Sequence, residues 1–176
     1  MHPNFDLEPA ATAMAAVVGA MADEQLTAPT PCTDTTVRDL LAHVIMLTEA
    51  FRQAATKEAV GRSVGPETVL PDDCEAWRGP ADWDGATEAG GVSAPAVVMA
   101  MIALNETVVH SWDLALATGQ RPAADPSHLA VLLEFLSDTP AEGTPGMFGS
   151  VVPVPDAAPE LDRVIGLTGR DPGWTR

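Results

Sequence analysis

Glu106 and His110 are the residues whose types and spacing best suit chemistry. They stand four apart in Ala96–Thr118, an apolar stretch that reads as a buried helix. Four residues is about one helical turn, so both side chains leave the same face. Met99, Ile102 and Ala103 precede them on that face and Ala117 follows. A carboxylate and an imidazole inside an apolar stripe need partners, because an unpaired buried charge costs several kcal/mol. A divalent metal is one such partner. His43, between Leu40 and Leu47 on the apolar face of an earlier predicted helix, points its ring inward and completes a His/Glu/His set. Three ligands of this kind leave a fourth position for water or substrate, the pattern of a catalytic rather than a structural zinc site. Alternatively, Glu106 pairs with His110 or with an arginine inside the protein, and spacing alone leaves both readings open. Asp113, on the same side as His110, either holds the ring N–H of that histidine or pairs with an arginine such as Arg38.

These residues need helices to carry them, and four can be read. The first covers about Asp6–Glu24, with Leu7, Ala10, Met14, Val17, Val18 and Met21 on one face. The second starts near Thr33–Thr36 and runs to about Ala59, with Asp34, Thr35 or Thr36 as its cap. The third opens after Ser93, with Pro95 in its first turn and Gly119 as its terminating glycine. The fourth spans about Pro126–Ser137, capped by Asp125 or Ser127. Gly61–Gly91, rich in glycine and holding Trp77 and Trp83, reads as a long irregular crossover of the kind that often forms a functional lid. Leu161, Val164, Ile165 and Leu167 suggest a short terminal helix. The expected fold is all-α: an up-and-down four-helix bundle with a long crossover between helices two and three, forming a single domain over residues 1–176. Bundles commonly build metal sites from facing helices.

Composition bounds the rest. The chain has 176 residues, is 46% hydrophobic but only 5% aromatic, and lacks tyrosine, which suits an Ala/Val/Leu/Met core between close helices. The formal net charge of −16 repels phosphate backbones and anionic membranes, so no nucleic-acid or membrane partner is expected. No apolar run reaches the ~20 residues a bilayer needs. The N-terminus has no secretory pattern, so the expected location is cytoplasmic. There Cys32 and Cys74 read as free thiols. Cys32 precedes helix two, where a thiol pKa falls, yet it lies roughly 12–15 Å along the helix axis from His43 and should not join it. Trp112 reads as packing, and His2 and His128 as surface residues. P-loop and GxGxxG patterns are absent.

The stretches PTPCTDTTVRDLLAHV (Pro29–Val44), ETVVHSWDLALATGQ (Glu106–Gln120) and FGSVVPVPDAAPELDRVIGLTGRDPGW (Phe148–Trp174) resemble the DinB-like, mycothiol-dependent maleylpyruvate isomerase N-terminal family. They are most similar to its actinobacterial metal-binding subgroup. The resemblance implies a four-helix bundle holding zinc or nickel through His43, Glu106 and His110. It further implies mycothiol as a cofactor, whose thiolate attacks a small electrophilic substrate in a transferase or isomerase reaction. A homodimer through an exposed helix face fits this class. Thr35 stands where the family usually has tryptophan, and the isomerases' second, sterol-carrier-like domain is not expected here. The competing expectation is a non-catalytic bundle whose polar cluster satisfies itself or holds a structural ion.

Overall fold

A helix that is apolar on every side must be central, and Ala96–Ala117 is such a helix. Its buried residues, among them Met99, Ala103, Leu104, Val109, Trp112 and Leu114, face in all directions around the axis. The computed structural model describes residues 5–57 and 83–176. Among them the chain is mostly helical: α1 (Glu8–Gly19), α2 (Val37–Thr56), α3 (Ala96–Ala117), α4 (Pro126–Phe135) and α5 (Glu160–Leu167). A small antiparallel hairpin, β1 (Ala86–Ala89) and β2 (Val92–Pro95), leads into α3. Helices α1, α2 and α4 pack on α3, and α5 packs on α4. Where α1, α2 and α3 converge, Met14, Val17, Val37, Leu40, Val44 and Leu114 form one apolar cluster. A second, larger cluster runs through α3, α4 and α5, with Leu104, Val108, Leu132, Val164 and Ile165 among its members. Among the described residues no helix is long and apolar enough to cross a membrane.

The helix ends follow local chemistry. Thr36 caps α2: its hydroxyl accepts from the Asp39 N–H, and the Asp39 carboxylate accepts from the Thr36 N–H at 3.0 Å. These Thr36 bonds hold the Asp39 carboxyl below its ordinary range. Asp125 caps α4 by accepting from the Ser127 N–H at 2.8 Å. Gly119 takes φ +74° just beyond the end of α3, where an L side chain would be strained.

The all-α expectation needs correction, because the hairpin occupies the end of the stretch expected to be irregular. Gly90 and Gly91 both take positive φ (+57° and +80°), which closes a two-residue turn whose twist matches the flanking strands. The β2 strand also takes up Ser93, so α3 begins at Ala96 with Pro95 before it rather than inside its first turn. Helix α1 ends at Gly19, short of the expected Glu24, and a 3-10 turn at Asp23–Gln25 follows. The remainder of the Gly61–Gly91 expectation, with Cys74 and Trp77, lies outside the described residues, as does His2. His128 is buried rather than on the surface: its ring Nε2 donates to the Asp6 carbonyl at 2.6 Å, tying α4 to the chain before α1.

The C-terminal segment packs backbone on backbone. A Cβ placed at Gly169 (φ +80°) lies 2.7 Å from the Gly149 carbonyl carbon. Gly169→Ala is therefore expected to cost at least about 2 kcal/mol, from left-handed strain plus the forced separation of two chains. Urea unfolding checks this, and a loss below ~0.5 kcal/mol means the contact gives way freely.

Candidate metal centre

Two helices build the centre. His43 stands in the first half of α2, while Glu106 and His110 stand one turn apart, at and just beyond the middle of α3. The packing of α2 on α3 brings together what sequence separates by more than sixty residues. His110 Nε2 lies 3.0 Å from Glu106 Oε2, and His43 Nε2 lies 3.8 Å from the same oxygen. The imidazole rings meet edge to face at 5.2 Å between centroids. One donor atom from each residue falls within 4.8 Å of the other two. A tetrahedral zinc with bonds of ~2.0–2.1 Å spaces its ligands by about 3.3 Å, between the two observed separations. The donor set of two imidazole nitrogens and a carboxylate oxygen therefore fits such an ion.

Exposure grades across the centre. The His43 side chain is 41% exposed, Glu106 19% and His110 6%. His43 thus sits at the rim instead of pointing fully inward. The reason is geometric: Leu40 and Val44 on α2 take the buried positions, and His43 is rotated partly away from them. The open side of the centre is the His43 side.

Behind His110 lies a second carboxylate. Asp113 Oδ2 is 2.9 Å from His110 Nδ1, and the Asp113 side chain has no solvent exposure. Its ion-pair partner is Arg170, at 3.1 Å, while Arg38 is exposed on α2. Sequence reading reached Asp113 but missed Arg170. The only local signal is that Arg170 follows the glycine ending α5, as Gln120 follows the glycine ending α3; the partner 57 residues away leaves no trace in spacing.

The charges reinforce one another. Burial pushes the Glu106 carboxyl up, yet its hydrogen bond from His110, the nearby His43 and the Arg170 charge bring it down to about 2. Burial pulls His110 down, but its bonds to Asp113 and Glu106 and their charges raise it above its ordinary range. Both ring nitrogens of His110 thus face a carboxylate, which favours the doubly protonated ring in metal-free protein.

Stability should follow. The His110 contribution is complete below pH 6.5, its ordinary value, and is lost as pH rises through its raised value. The Glu106 contribution is complete above 4.5 and is lost as pH falls toward about 2. Metal-free protein is therefore expected to show its greatest benefit from this pair between pH 4.5 and 6.5. Metal-loaded protein should instead gain with rising pH, because a ligand histidine must shed its proton. Melting temperatures of chelator-treated and zinc-loaded samples across pH 4–9 check both limbs.

Of the remaining sequence candidates, Trp112 is core packing, as expected. Cys32 lies in the turn before α2, where its carbonyl accepts from the Thr30 and Thr35 hydroxyls.

Comparison with known proteins agrees with the resemblance read in the sequence. Residues 7–72 match the family model described as the mycothiol maleylpyruvate isomerase N-terminal domain. The match includes His43, while Glu106 and His110 fall beyond it. Two relatives, each named an uncharacterised protein, come from two strains of Mycobacterium tuberculosis. Both are 28% identical over 180 residues, covering 97% of this chain and 98% of their own. No solved structure matches the chain.

Proposed function

We propose that this chain is a DinB-like, up-and-down helical-bundle protein that binds a divalent metal, zinc or nickel, through His43, Glu106 and His110. We further propose that it acts with a low-molecular-weight thiol, mycothiol, as a transferase or isomerase on small electrophiles. One observation carries the reading: two imidazole nitrogens from different helices converge on one carboxylate oxygen, at 3.0 and 3.8 Å, beside a solvent-facing edge. When bound, the ion supplies a Lewis acid at which a thiol loses its proton near neutral pH.

The protein's own residues perform the remaining work. Glu106 stays ionised and so offers a charged oxygen to a cation. Asp113 holds the Nδ1–H of His110 and leaves Nε2 directed at the centre. His43, at the rim, leaves the approach from solvent open to a thiol and its electrophile. The family match over residues 7–72 supports the thiol, and the net charge of −16 argues against a nucleic-acid partner.

A second reading has its own observation. The His110 ring already bridges Glu106 and Asp113 at 3.0 and 2.9 Å, a cluster that can satisfy itself without a metal. Elemental analysis of protein purified without chelators separates the two, with about one ion per chain expected. Calorimetry with mycothiol then tests the thiol: binding only to metal-loaded protein is expected. Absence of both ion and zinc affinity overturns the metal reading, and an ion without thiol binding overturns the enzymatic one.

A further inference from the structure

We propose that Arg170 is a positioning residue of this centre, so that the C-terminal segment forms part of the site. The inference rests on the metal reading above. Arg170 Nε lies 3.2 Å from both Asp113 oxygens, and Nη2 donates to Asp113 Oδ2 at 3.1 Å. Its Nη1 donates to the Thr168 carbonyl at 3.1 Å, which anchors the guanidinium plane on its own backbone. Gly169 makes the turn that brings Arg170 there, and the Arg170 N–H returns to the Ile165 carbonyl. Asp113, shut off from solvent, has Arg170 and His110 as its partners. Arg170 thereby fixes the carboxylate that fixes His110 Nδ1–H, and only Nε2 is left to face Glu106 and His43.

Charge alone predicts the opposite effect. A guanidinium close enough to lower the Glu106 carboxyl also repels a cation, so its removal should tighten metal binding. Positioning predicts that removal weakens it. The sign of the change therefore separates the two.

The test compares wild type with Arg170→Gln, Arg170→Lys and Arg121→Gln, the last removing an exposed charge elsewhere. Two quantities are measured: zinc affinity, by competition with a chromophoric chelator, and solvent exchange of the His110 Nδ1–H in metal-free protein, by NMR. Arg170→Gln is expected to weaken zinc binding by roughly 10–100-fold and to speed exchange about tenfold or more. Arg170→Lys should recover part of both, because an ammonium reaches the carboxylate but cannot grip it with a planar fork. Arg121→Gln should change neither. Zinc binding by Arg170→Gln that is unchanged or tighter, or an unchanged exchange rate, overturns the proposal. If Arg170→Gln does not fold, the same readings on Arg170→Lys decide, with no change in either counting against it. If wild type binds no zinc, the metal reading falls, and the exchange rate alone decides the role of Arg170.

Discussion

His43→Ala is expected to lower zinc affinity by roughly 100-fold while shifting the stability of metal-free protein by less than about 1 kcal/mol. The affinity figure follows from structural zinc sites, where about 10–16 kcal/mol is shared among four ligands, or roughly 3 kcal/mol each. The stability figure follows from exposure. The His43 side chain is 41% exposed and lies 3.8 Å from Glu106, beyond a good hydrogen bond. Truncating it opens no core cavity, since Leu40 and Val44 fill the buried positions of α2. A self-satisfied polar cluster predicts the reverse: a loss of stability with no metal to lose. Zinc titration and urea unfolding of one purified variant therefore discriminate between the two readings. A substantially destabilised His43→Ala with unchanged metal content would sink the metal centre.

Asp113→Ala should be the most damaging single change, costing about 3–5 kcal/mol of stability. The substitution strands two buried donors at once. Arg170 is only 12% exposed and loses its carboxylate, and His110, 6% exposed, loses the acceptor of its Nδ1 proton. Water cannot readily replace a group buried this deeply. Zinc affinity should fall about 10–100-fold as well, because the imidazole is free to turn or to change tautomer. Denaturant unfolding of the metal-free variant and chelator competition measure the two effects separately. Full stability in the variant would mean that Arg170 finds another partner, and the chain from α5 to His110 would no longer hold.

The sequence by itself determined the helices and singled out His43, Glu106 and His110 as a candidate set. The turn spacing of Glu106 and His110 is a property of any α-helix, so those residues share a face wherever the helix packs. The apolar neighbours of His43 showed which side of α2 meets the core, and Gly119, Asp125 and Thr36 marked helix ends through local bonding. The Gly90-Gly91 pair left a hairpin signal that the reading of Gly61–Gly91 as irregular did not use, since paired glycines between two short runs favour a tight turn.

The tertiary structure decided how the helices meet and what stands behind the candidate site. How far His43 turns toward solvent depends on the crossing of α2 and α3, which no periodicity encodes. His128 shows no partner nearby in sequence, because the carbonyl it binds lies 122 residues earlier. Arg170 pairs with Asp113 across 57 residues, through a glycine turn whose direction is set by backbone contact with Gly149. Local spacing fixes which face a side chain leaves from, but only packing fixes what it finds there.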